Sequence, residues 1–247
     1  MKTSMLDRFN RYLAAQAALP DIKRQPVPLS ITISREAGAG GLAIAGMLVD
    51  RLTADQPASV STPWAVFDAN LAKLVLEEHK LPPHLEAFMS EEAKHPIEEI
   101  VEEVLGLHPS RWTMVQHTTK TILRLAGLGH AILVGRGANI ITAHFPNVLH
   151  VRLVSPLSAR VRYTADRSNL SDAEAANILR EQDDSRRRYL RVYFNADIDD
   201  PSRYDITINT GRLGFARSVD MIAHLAKQHE ETLRSHQTQG TPIVTHA

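Results

Sequence analysis

Three glycines crowd the stretch Ser34-Arg35-Glu36-Ala37-Gly38-Ala39-Gly40-Gly41. Glycines so placed let the backbone take positive φ and bring its amides close around a ligand. A helix starting at this point would add unpaired N–H groups and the positive end of its dipole, a combination that suits a phosphate. Laid over the phosphate-loop pattern G-x-x-x-x-G-K-S/T with Gly40 as the second glycine, Arg35 falls on the first glycine, Gly41 on the lysine and Leu42 on the hydroxyl. The usual cation and the usual Mg²⁺ ligand are both missing. Taken alone, the glycines fit a tight strand-to-helix turn as well as an anion site.

Two further groups of residues could do chemistry. Gly135-Arg136-Gly137-Ala138 sets an arginine between glycines directly after an apolar run, where the ligands of open parallel sheets bind. The second group is Arg180-Glu181-Gln182-Asp183-Asp184-Ser185-Arg186-Arg187-Arg188-Tyr189-Leu190-Arg191. Here Asp183 and Arg187, and Asp184 and Arg188, stand four apart and can pair on a helix. On charge alone, a solvated helix with ordinary ion pairs explains this run. Glu91, Glu92, Glu98, Glu99, Glu102 and Glu103 likewise read as a solvated face. The 12 histidines are scattered without an H-E-x-x-H or comparable pair, so no metal site is expected.

These residues need elements to position them. Ile31 to Ile33 are β-formers, and Leu42, Ala45, Leu48, Val49 and Leu52 recur at helical spacing, so the glycine stretch joins a strand to a helix. Trp64 to Phe67 form a short strand ending at Asp68, which can cap a helix from Ala69 to about His79. Residues 80–128 read as wholly helical, with a long helix from Thr113 to Leu128. The apolar runs His130 to Val134 and Val148 to Val154 are buried strands. Ser155 is placed to cap a helix with Pro156 at its first position, and Arg160 follows about a turn inside. Ser171 and Glu174 make a capping box for a helix from Asp172 to about Tyr193. A last strand, Tyr204 to Asn209, precedes a closing helix from Phe215 to about His229. Strands alternating with helices predict an α/β fold, a five-stranded parallel sheet with helices on both faces.

Composition limits the rest. With 28 basic and 28 acidic side chains among 247 residues, no global field invites nucleic acid or an anionic membrane. The absence of cysteine excludes a disulfide framework and fits a reducing compartment. No apolar run approaches the ~20 residues of a membrane span, so a cytoplasmic protein without membrane or nucleic-acid partners is expected. Residues 1–28 are read as a helical extension, centred on residues 4–19, through which a homo-oligomer could form. Residues 230–247 are read as a polar, frayed tail.

Three segments together resemble the cytidylate kinase-like family, a branch of the P-loop nucleoside monophosphate kinases: Ile31 to Ala45, Val134-Gly135-Arg136-Gly137-Ala138, and Asp200 to Thr210. The resemblance covers the domain read at residues 29–229. It implies a P-loop sheet, a helical substrate lobe at 80–128 and an arginine-bearing lid at 160–200. It also implies ATP-dependent phosphoryl transfer to a small nucleotide, CMP or dCMP, with Mg²⁺. By position, Gly38, Ala39, Gly40 and Gly41 would hold ATP phosphate, and Arg35 would supply the charge of the missing lysine. Asp68 and Arg136 would meet the acceptor, while Arg160, Asp183, Arg187 and Arg188 would serve transfer from the lid. Leu42 and Gly137 stand where related kinases carry polar or acidic groups, so Mg²⁺ is expected to be held by phosphates and water. Two other readings stay open: a catalytically silent nucleotide-binding regulator, and a kinase of another small-molecule acceptor.

Overall fold

The computed structural model describes residues 28–57, 60, 62–68, 70–78, 80 and 111–238. The expected N-terminal helix, any oligomer through it, and most of the helical insert (81–110) lie outside the described residues. Five strands form one parallel sheet: β1 (Ser30–Arg35), β2 (Ala65–Phe67), β3 (Ala131–Val134), β4 (Val148–Val154) and β5 (Ile206–Asn209). Their spatial order is β2-β3-β1-β4-β5. β1 is central, pairing Ile33 with Val134 on one side and with Val151 on the other.

Side-chain alternation divides the core into two layers. Ile31, Ile33, Val66, Ile132 and Val134 point to the face covered by α1 (Gly41–Asp55) and by the last helix, Phe215–Thr238. Ala65, Phe67, Ala131 and Leu133 point to the opposite face, against α2 (Asn70–Glu78) and α3 (Arg111–Leu128). Each fully buried Ile or Leu in these layers contributes roughly 1.5–3 kcal/mol. Both faces of the sheet are therefore covered by helices, as strand–helix alternation predicted.

Helices α4 (Ala138–Ile141), α5 (Leu157–Ser168), α6 (Asp172–Phe194) and α7 (Thr210–Leu213) follow the C-terminal ends of β3, β4 and β5, and the last helix, on the sheet face, is α8 (Phe215–Thr238). The capping box of α6 forms as expected, with Glu174 N–H donating to Ser171 Oγ at 3.3 Å and Ser171 N–H donating to Glu174 at 2.9 Å.

Two local expectations are corrected. Helix α5 begins at Leu157 with Pro156, not Ser155, at the N-cap position and has no side-chain cap, while the Ser155 N–H donates to Glu36 Oε2 at 2.7 Å. Helix α8 continues past His229 to Thr238, where a frayed tail was expected, and Leu233 is buried within this extra length. No helix among the described residues is long and apolar enough to cross a membrane.

Candidate active site

The first strand delivers its chain to the sheet edge, where the backbone turns through Gly38 (φ 75°) and Gly40 (φ 81°) into α1. Gly40 is the N-cap of α1 and supplies no side chain, so the first-turn amides are left for an outside acceptor. A Cβ at Gly40 would fall within the Phe215 ring, and one at Gly38 would stand 2.9 Å from Leu179 Cδ2. Glycine is therefore required here by close approach as well as by φ. Ala39 is buried, and its carbonyl accepts from Thr210 Oγ1 at 2.9 Å, tying the turn to the end of β5.

Gly41 occupies the lysine position of the phosphate-loop pattern, and the structure shows what fills the space. A Cβ there would lie 3.0 Å from Arg35 Cγ, so the stem of Arg35 crosses the spot from which a lysine would grow. Arg35 leaves the end of β1 and lines the adjoining pocket.

Helices α5 and α6 close over the turn through buried polar contacts. Asp183 accepts from Ala37 N–H at 2.7 Å with one carboxylate oxygen and from Arg160 Nη1 at 2.7 Å with the other. Arg160 also donates to Ala37 O at 3.0 Å and to Ser155 O at 2.9 Å, and its Nε lies 3.5 Å from Glu36. Of the expected lid residues, Arg160 and Asp183 thus reach the glycine turn. Asp183 bonds Arg160, not the Arg187 one turn along its own helix.

A small pocket lies beside the turn, between the ends of β1 and β3. Ser34, Arg35, Gly137, Asn139, Arg186 and Leu190 contribute to its wall, which holds no carboxylate among the described residues. Arg186 is buried there at 8% exposure, whereas Arg187 and Arg188 are directed outward. Arg187 instead donates to Asp184 at 3.0 Å and to Asp199 at 3.3 Å. Burial works against its charge, but the Asp199 hydrogen bond and the nearby carboxylates outweigh burial and keep the guanidinium firmly protonated.

Arg136 sits in the turn at the end of β3 with φ 59°, flanked by Gly135 and Gly137, also at positive φ. A non-glycine residue held in this region is strained by roughly 1–3 kcal/mol, a feature that clusters at ligand sites. Asp68 ends β2, and its carbonyl accepts from Leu71 N–H at 3.0 Å, starting α2 through the backbone.

Behind the pocket, Arg152 of β4 donates to Ser34 Oγ at 3.0 Å and to Asp199 at 3.0 Å, with 4% of its side chain exposed. The Tyr204 ring lies 6.0 Å from the Arg152 guanidinium, and its hydroxyl donates to Ile198 O at 2.8 Å. Burial pushes the Tyr204 phenol up, so it remains a hydrogen-bond donor. Arg152, Asp199 and Tyr204 fix the loop after α6 to the sheet, and none was singled out in the sequence. Arg186 had a legible signal. Ala175, Leu179, Arg186 and Leu190 are the buried residues of α6, so this arginine stands in the helix's apolar stripe.

A polyphosphate fits the glycine turn, which presents uncapped amides of a long helix beside arginine. A protein-held divalent cation fits less well. Leu42 takes the hydroxyl position with 51% exposure, and the described residues contain no metal-ready group of three His, Asp or Glu side chains.

A family model described as the cytidylate kinase-like family matches residues 30–212. The chain is 36% identical over 89 residues to a cytidylate kinase of Methanothrix thermoacetophila, covering 36% of this chain and 49% of that protein. It is 26% identical over 109 residues to a uronate isomerase of Corynebacterium glutamicum, covering 44% of this chain and 21% of that protein. The chain thus spans about half, or less, of the length of these curated relatives. In fold it is similar to an uncharacterized protein from Eubacterium ventriosum, with a TM-score of 0.58, 18% identity, and coverage of 81% of this chain and 98% of that one.

Proposed function

The chain belongs to the cytidylate kinase-like family, and on that premise we propose that it transfers the γ-phosphoryl group of ATP to the phosphate of a nucleoside monophosphate, CMP or dCMP first among them. The observation that carries this reading is the meeting of two features at one sheet edge. One is a glycine turn with uncapped helix amides, and the other is a pocket walled by Arg35 and Arg186, without a carboxylate among the described residues.

The chemistry is in-line displacement. An oxygen of the acceptor phosphate forms the new P–O bond while the bond from the γ-phosphorus to the bridging oxygen breaks, and ADP leaves with that electron pair. Phosphoryl transfer depends on position and charge neutralisation, and one well-placed arginine is worth roughly 10³–10⁵ in rate. In this reading Gly38 to Gly41 hold the ATP phosphates by backbone amides, and Arg35 replaces the lysine. Arg186, not Arg187 or Arg188, reaches the transferred group from α6. Arg136 and Asp68 belong to the acceptor side. Arg160 and Asp183 position the turn and exclude water instead of touching the phosphate. Mg²⁺, held by phosphate oxygens and water near the turn, would supply further neutralisation.

A second reading, a nucleotide-binding regulator without catalysis, is favoured by Gly41 and Leu42 standing at the lysine and hydroxyl positions. A coupled ADP-release assay with ATP, Mg²⁺ and a panel of nucleoside monophosphates, run beside Arg186→Ala, separates the two. Turnover with CMP or dCMP that falls about 10³-fold in the variant supports the kinase. Saturable ATP binding without turnover on any acceptor supports the regulator.

A further inference from the structure

Asn139 holds a polar group that the fold leaves unanswered. It lies in the first turn of α4, just past the Gly135-Arg136-Gly137 turn, and is only 5% exposed. Its Nδ2 is buried and finds no hydrogen-bond partner among the described residues. Two neighbouring hydroxyl side chains are satisfied. Ser34 accepts from Arg152, and Thr142 at the end of α4 donates to Ala138 O at 2.7 Å.

A buried, unmade hydrogen bond is destabilising, and an apolar residue of similar size would avoid that cost. The position of Asn139 says what the donor is for. It lines the same pocket as Arg186, which is nine-tenths buried, and Arg35. A carboxamide donor beside two guanidinium groups, with no acid in the wall among the described residues, is complementary to an oxyanion. It favours an oxyanion over a neutral hydroxyl and opposes an ammonium group.

We propose that Asn139 is a specificity-determining residue of this pocket, donating its side-chain N–H to an oxyanion oxygen of the acceptor. The inference rests on reading the pocket as the acceptor site, and it adds a requirement for an anionic group where Asn139 points. A site built around such a donor discriminates strongly against analogues that lack the oxygen, since the buried N–H is then stranded again.

The test is direct binding, measured by calorimetry with CMP, cytidine and inorganic phosphate on wild type, Asn139→Leu, Asn139→Asp and Asn139→Gln, alongside thermal unfolding of each. We expect wild type to bind CMP and phosphate in preference to cytidine. Asn139→Leu should lose roughly 10- to 100-fold in affinity for the anions, the range for a hydrogen bond to a charged group, while its Tm holds or rises. Asn139→Asp should lose more, and Asn139→Gln should recover part of the affinity. Wild-type affinity in Asn139→Leu overturns the proposal, as do tighter anion binding by Asn139→Asp, a fall in Tm in the leucine variant, or no anion binding by wild type. If phosphate binding follows this pattern but CMP neither binds nor turns over, the donor assignment stands and the nucleoside monophosphate reading fails.

Discussion

Arg160 and Asp183 meet at 2.7 Å with 9% and 11% of their side chains exposed, and each also bonds the backbone of Ala37. The pair staples α5 and α6 to the glycine turn. Breaking a buried pair by removing one partner strands the other charge and costs about 3–5 kcal/mol. Arg160→Met and Asp183→Leu should each lower stability by that amount in urea titrations. The double variant should be less destabilised than the sum of the two. Additive losses would show that the two groups are not coupled.

Arg35 and Gly41 share one volume. Arg35→Ala should reduce phosphoryl transfer by roughly 10³-fold, the lower range for an arginine on the transferred group. Gly41→Lys alone should not raise activity, since its Cβ meets Arg35 Cγ at 3.0 Å. Gly41→Lys in the Arg35→Ala background has the space and should recover part of the lost rate. Steady-state kinetics on the four proteins decides this, and no recovery would mean that lysine cannot reach the phosphate from this turn.

Gly40→Ala faces two obstacles, the positive φ and the Phe215 ring. The left-handed backbone costs roughly 1–2 kcal/mol for an L-residue, and forced repacking adds about 1–3 kcal/mol. Chemical denaturation should show a loss of that combined size. Measured against Phe215→Ala as the parent, Gly40→Ala should lose the steric part of its cost and keep the backbone part.

His130 gives the fold a pH dependence unrelated to the pocket. It is 6% exposed beside the Trp64 ring, and burial lowers its pKa to about 4. The folded state keeps it neutral, while an unfolded histidine takes a proton near pH 6.5. The contribution is fully present above that value and is lost as pH falls from about 6.5 towards 4. At pH 4.5 the loss from this residue should be about 2–3 kcal/mol. His130→Asn, which tolerates the positive φ of 53°, should flatten this part of the stability profile. An unchanged slope between pH 7 and 4.5 would assign the dependence to other groups.

The sequence made legible whatever local rules control. The strand, glycine turn and helix at Ser30–Asp55, the capping box at Ser171 and the buried parallel strands all follow from spacing and residue type. The partners of Asp183 did not, because the i, i+4 rule looks only along one helix. Its contacts are Arg160, 23 residues away, and Ala37, 146 residues away. Similarly, Ser155 suits an N-cap by type, but the helix starts one residue later, with Pro156 at the N-cap position. Arg186 was masked by two neighbouring arginines and could be told from them only by its place in the apolar stripe of α6.

Helix α6 bears on two turns at once: Leu179 covers Gly38 of the first turn, while Leu190 and Phe194 cover Gly137 of the second. These contacts lie roughly 16 Å apart along a continuous helix, at about 1.5 Å per residue. Because α6 is one continuous helix, a displacement of it at one turn must be felt at the other.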